Sequence, residues 1–179
     1  MFSVHHIVKS DHNQEYLELY SPNKDSYAKI HLSQGGSLQV LTLNGHEVIK
    51  DMSPMTYEKT YASAILFPFA NRIKDGRYEF EGNSYQFDIN EPGNNNALHG
   101  LVYNKTVEVI SEKTSKTLAS VKLVYHENST SKGFPYTYAI YLEYLLTEST
   151  LDLNVEIKNT DSKTFPFTLG WHPYFFSAD

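Results

Sequence analysis

A hydrophobic period of two constrains this chain more than any other feature of its sequence. Leu151, Leu153, Val155 and Ile157 alternate with Asp152, Asn154 and Glu156, which puts apolar side chains on one face of an extended strand and leaves the other face wet. Ala119, Val121, Leu123 and Tyr125 alternate with Ser120, Lys122 and Val124 in a second strand. Tyr138 to Leu146 reads as a third, more apolar and therefore more buried. Two hairpins are marked by their turns. Leu38 to Leu43 and Glu47 to Ile49 flank Asn44-Gly45, a strong two-residue turn signal. Tyr78 to Glu81 and Ser84 to Ile89 flank Gly82-Asn83, which fits a loop with glycine supplying positive φ at its first position. No long run carries the i, i+3, i+4, i+7 spacing of an amphipathic helix. About ten short strands with turns between them predict an all-β chain, an antiparallel sandwich or barrel.

The chain's 179 residues suit one domain with a sizeable core. Its 14 Tyr and 10 Phe fit that architecture, because broad rings pack well on a pleated, half-buried surface. The formal net charge is −6 with no cluster of Lys and Arg, which argues against a nucleic-acid partner. No stretch has the length of a signal peptide or a membrane span, so a cytoplasmic chain without membrane contact is expected. Cysteine is absent, which removes a disulfide framework, a thiolate nucleophile and any cysteine-based zinc site.

Three segments break the strand pattern while carrying polar residues that could converge. Leu66 to Arg72 sets Asn71 and Arg72 behind apolar sequence, where an arginine is rare unless paired. Its planar fork suits several ligand oxygens or a developing oxyanion, and equally a structural carboxylate. Asn90 to Gly100 is a loop by its Pro-Gly and Asn run. Gly100 after His99 would let backbone come close to a ligand, although a lone loop histidine is more often exposed or structural. In Phe165 to Phe175, His172 precedes a proline and is pushed toward extended backbone between large rings. A histidine titrates near neutrality and can pass a proton either way. For Trp171, core packing is favoured over stacking on a ligand. Phe-Pro-Phe occurs at 67–69 and again at 165–167, an echo read as coincidence in so aromatic a chain. His5, His6, His12, His31, His46 and His126 have no informative context. Compact metal-ligand spacings, a nucleophile elbow and a phosphate-binding glycine loop are all missing, so no metal is expected.

Together these segments resemble the aldose 1-epimerase (galactose mutarotase) family. The resemblance runs through Asn71-Arg72 with Gly76, Tyr78, Phe80, Gly82 and Tyr85, then Leu98-His99-Gly100, then Gly170 and His172-Pro173-Tyr174-Phe175. His99 follows Arg72 by 27 residues, and His172 follows His99 by 73. It implies a galactose mutarotase-like supersandwich, with residues 1–179 a single partial domain from its N-terminal side. It further implies an enzyme that interconverts the α and β anomers of a small aldose without a cofactor. In that reading Asn71, Arg72 and His99 hold sugar oxygens, Arg72 and His99 also stabilise charge, and His99 counts as catalytic. His172 is the general acid that protonates the ring oxygen. A sugar-binding Asp and the general base, a Glu, are expected beyond residue 179, and neither Asp179, Glu91 nor any other carboxylate here is assigned the base role. Open strand edges of a partial sandwich are expected to be covered by self-association. The rival expectation is a non-catalytic carbohydrate-binding module or sugar sensor, with the histidines serving only as hydrogen-bonding groups.

Overall fold

In the computed structural model, residues 1–9 and 14–177 are described; His12 and Asp179 lie outside them. Five antiparallel strands in sequential order form the first sheet: β1 (Ser3–Lys9), β2 (Gln14–Tyr20), β3 (Tyr27–His31), β4 (Ser37–Leu43) and β5 (His46–Ile49). One helical turn, α1 (Tyr57–Thr60), leads into a run of short pieces. These are β6 (Ile65–Leu66), β7 (Arg72–Lys74), the hairpin β8 (Arg77–Phe80) and β9 (Asn83–Gln86), a 3₁₀ turn at Pro92–Asn94, and β10 (Asn96–Leu98). A second antiparallel sheet follows as a four-stranded meander of β11 (Glu108–Thr114), β12 (Ala119–Glu127), β13 (Tyr138–Leu146) and β14 (Leu151–Asn159). Finally β15 (Gly170–Trp171) returns to pair with β6.

The core joins inward-facing residues of both sheets. Leu17, Leu19, Ala28, Ile30 and Leu38 from the first are fully buried with Val121, Leu123, Ile140, Leu142 and Tyr144 from the second. Each such aliphatic side chain contributes roughly 1.5–3 kcal/mol relative to exposure. A polar tie crosses the same layer: the buried Tyr144 hydroxyl donates to the Gly36 carbonyl oxygen at 2.8 Å. The alternation in β14 is reproduced, with its four aliphatic residues half-buried and the polar ones exposed, and β13 is the more buried strand.

Both expected hairpins form, one with a shifted turn. Asn44 (φ 50°) and Gly45 (φ 77°) close β4 onto β5 as the sequence indicates. Between β8 and β9 the loop is Glu81-Gly82, at φ 48° and 74°, rather than Gly82-Asn83. Two positive φ values match the twist of the flanking strands, which glycine first in the loop would satisfy by a different turn. Side-chain packing fixes the register, because Tyr78 sits opposite Tyr85 with rings stacked at 5.0 Å and Phe87 stacks on Tyr78 at 5.2 Å. The second arm ends at Gln86 instead of Ile89.

Fifteen extended segments are present among the described residues, more than the ten or so expected. The excess consists of the two- and three-residue ladders β6, β7, β10 and β15, too short to show a period. Trp171 is a correction: it is not core but 36% exposed. It belongs to a run of exposed large side chains that includes Phe167, Leu169, Tyr174, Phe175 and Phe176.

Candidate active site

Residues 65–67 form the spine on which the site is assembled. On one side Leu66 and Ile65 pair with Gly170 and Trp171. Phe67 also bridges to Gly100, and the Leu101 N–H donates to the Phe67 carbonyl at 2.7 Å. Gly100 has φ 79°, and a Cβ there would lie 2.2 Å from the Phe67 oxygen. Close approach does explain this glycine, but what approaches is the protein's own backbone rather than a ligand.

That spine brings His99 and His172 together from opposite sides. His99 (φ 63°) donates its N–H to the Asn71 carbonyl at 2.9 Å, one residue beyond the Leu98–Arg72 pairing of β10 with β7. His172 donates its N–H to the Ala64 carbonyl at 3.1 Å and accepts from the Ser63 N–H at 2.8 Å. The two imidazoles meet edge to face, centroids 5.0 Å apart. Tyr61 packs against His99 at 4.8 Å and Tyr174 against His172 at 5.2 Å. His99 is buried, unlike the usual loop histidine. In both rings Nδ1 is buried and has no partner. Buried polar atoms are nearly always satisfied, so two unpaired ring nitrogens within one packed pair of imidazoles set these histidines apart. Burial, with the nearby His172 and Arg72, pushes His99 down to about 4, so it is neutral at physiological pH.

Arg72 lies at the rim with its side chain half exposed, and it is paired. Its Nε donates to the two Glu91 oxygens at 3.0 and 2.8 Å, its Nη2 to Oε1 at 2.7 Å, and its Nη1 to Asn71 Oδ1 at 3.1 Å. Asn96 Nδ2 donates to Glu91 Oε2 at 2.7 Å. Hydrogen bonds from Arg72 and Asn96 hold the Glu91 carboxyl down at about 2. All four residues singled out from sequence (Asn71, Arg72, His99 and His172) therefore fall in one neighbourhood. Glu91 joins them as the partner of Arg72 and Tyr61 as the neighbour of His99, places that only the β7–β10 register and the α1 turn reveal. Among the described residues no group of three His, Asp or Glu is placed to hold a metal ion.

The Phe-Pro-Phe echo proves to be a packing pair. Phe67 contacts Phe165 and Phe167 at 6.3 and 5.5 Å, and the Thr168 N–H donates to the Pro68 carbonyl at 2.8 Å. These contacts lock the segment carrying His172 onto the segment carrying Arg72.

Packed antiparallel sheets with this polar cluster on short ladders define a galactose mutarotase-like β-sandwich. A galactose mutarotase-like protein from Clostridium acetobutylicum superposes with a TM-score of 0.82 at 23% identity, covering 98% of this chain and 54% of that one. A galactose 1-epimerase from Lactobacillus acidophilus gives 0.76 at 18% identity, covering 98% and 53%. The chain belongs to the aldose 1-epimerase family, whose model matches residues 13–179. By sequence it is 29% identical over 151 residues to the uncharacterized protein YihR of Escherichia coli K12, covering 84% of this chain and 47% of that protein. To the uncharacterized protein YphB of the same organism it is 34% identical over 110 residues, covering 62% and 35%. The chain thus spans about half, or less, of the length of the relatives it matches.

Proposed function

We propose that this chain supplies the sugar-holding and proton-donating part of an aldose 1-epimerase. One observation carries the reading: His99 and His172 face each other with buried, unpartnered Nδ1 atoms beside the Arg72 fork. Opening a cyclic hemiacetal requires a proton to arrive at the ring oxygen while another leaves the anomeric hydroxyl. His172 gives the first proton, Asn71, Arg72 and His99 hold the sugar oxygens, and rotation about C1–C2 followed by reclosure yields the other anomer. A positioned acid of this kind contributes typically ~10²–10⁴-fold. His99, held neutral by burial, suits holding better than donating. Glu91 is a poor base, because its charge is committed to Arg72. In this proposal the general base is, as the family resemblance implies, a Glu in sequence beyond residue 179, and the substrate is a small aldose met in the cytoplasm.

That commitment of Glu91 also favours a second reading for residues 1–179 alone, a carbohydrate-binding module that holds a sugar without exchanging its anomers. Polarimetry of fresh α-glucose and α-galactose separates the two. In the complete domain His172→Ala is expected to abolish anomer exchange while sugar binding partly survives. An undiminished rate in that variant overturns the role of His172. Binding with no exchange in the wild-type domain favours the module.

A further inference from the structure

Most outer strands of the two sheets have their edges occupied by the chain itself. β1 and β11 lean on each other, through the Phe2 N–H donating to the Ser115 carbonyl at 3.0 Å and through the His6–Glu112 side-chain contact. At the other side of the first sheet Phe175 bridges to Ile49, and the Phe176 N–H donates to the Val48 carbonyl at 2.8 Å, so residues 175–176 cover β5. β14 is different. It is the outer strand of the four-stranded meander, and among the described residues no backbone hydrogen bond reaches its free edge. It is also an edge suited to pairing: nine residues in unbroken register with β13, without proline or bulge. Its inward side chains Leu151, Leu153, Val155 and Ile157 stay half-buried, so the core is open along this edge.

The sequence of the strand itself selects the occupant. Directly opposed residues of an antiparallel pair share a face, so a register that opposes apolar to polar residues is disfavoured. Pairing of β14 with β14 of a second copy, about a two-fold axis at Val155, overlaps all nine residues. Val155 then meets its own copy, Leu153 meets Ile157 and Asn154 meets Glu156. Asp152 meets Lys158, and the symmetry makes that match twice. Both are exposed, and among the described residues neither has an ion pair within the chain. Sliding the strands by two residues keeps the faces but loses the match. One direction opposes Asp152 to Glu156, and the other opposes Glu156 to its own copy, both repulsive. Charges on an edge strand ordinarily prevent pairing; here their spacing admits one partner in one register. We infer that the free edge of β14 is an interface for a second copy of this chain, which joins the two meanders into one continuous antiparallel sheet. The inference stands apart from the aldose reading and does not depend on it.

Sedimentation velocity of the 179-residue chain over a concentration series tests it. The wild-type chain is expected to show a monomer–dimer equilibrium. Asp152→Lys and Lys158→Asp each set like charges opposite one another at two places, and each should weaken pairing by about tenfold or more. Both positions are exposed, and far-ultraviolet circular dichroism checks that the variants stay folded. Both substitutions on one chain restore opposite charges and should restore pairing. Mixing the two single variants should do the same, since each supplies the charge that the other's edge lacks. A wild-type chain that stays monomeric up to about 1 mM, where a Kd of that size would pair half of it, overturns the inference. Pairing that the single variants leave unmoved, or that neither the double variant nor mixing rescues, puts the interface elsewhere and overturns it equally.

Discussion

Replacing Gly100 with alanine should unfasten the site at its spine. The Cβ would lie 2.2, 2.6 and 3.0 Å from the O, C and N atoms of Phe67, all backbone, so no side chain can swing away to make room. Two costs add. An L-residue in left-handed backbone costs roughly 1–2 kcal/mol. Displacing the Phe67 carbonyl also weakens its 2.7 Å hydrogen bond from Leu101, about 1 kcal/mol net. Against them, alanine reduces the entropy of the unfolded chain by about 0.4–1 kcal/mol. The balance is a destabilisation of about 2 kcal/mol, more if the backbone yields poorly, and a fall in Tm of about 4–8 °C at ~2–4 °C per kcal/mol for a chain of this size. Gly45→Ala is the control, since it shares the positive φ (77°) but meets nothing within 4 Å; it should cost about 1 kcal/mol less than Gly100→Ala, the part owed to Phe67. Thermal and urea unfolding followed by circular dichroism measure both. Equal losses in the two variants would refute the argument, because the difference between them isolates contact with Phe67.

Acid should loosen the fold before any carboxylate pair breaks. Burial holds His31 and His99 at about 4 against about 6.5 in an unfolded chain. Between those values the unfolded state binds more protons, so stability is full above about pH 6.5 and is lost as pH falls toward 4. On the order of 1 kcal/mol per histidine is expected between pH 7 and 5 after allowance for solvent screening, and unchanged urea midpoints over that window would contradict it. Tyr144→Phe removes the hydroxyl that satisfies the buried Gly36 carbonyl, an expected loss of about 1–3 kcal/mol. A urea titration showing under about 0.5 kcal/mol would mean that the carbonyl has found another donor.

Legibility in the sequence tracked element length. β12, β13 and β14 run nine residues each, long enough for the period of two to declare strand, face and relative burial. The ladders β6, β7, β10 and β15 run two or three residues, and only tertiary pairing makes them strands. The candidate site residues were picked out by type and by resemblance, and the structure groups them, but their partners were not legible. Glu91 reaches Arg72 only because β10 lies antiparallel to β7 with Leu98 opposite Arg72. His31 looked uninformative because nothing in Ile30-His31-Leu32 says that one ring nitrogen ends buried and unpaired.

The Arg72–Glu91 pair looks at first like a reason to deny Arg72 any ligand. A donor count reverses that impression. A guanidinium has five N–H groups. Nε and one N–H of Nη2 are spent on Glu91, and one N–H of Nη1 is spent on Asn71, which leaves two directed elsewhere. Glu91, itself pinned by Asn96, thus fixes the plane of the fork by a bidentate contact while sparing donors at its end. A lysine at position 72 could not be oriented in this way, since an ammonium is a point charge on a flexible stem. A ring held at about 4 rarely carries a proton to give at neutral pH, which fits the holding role proposed for His99.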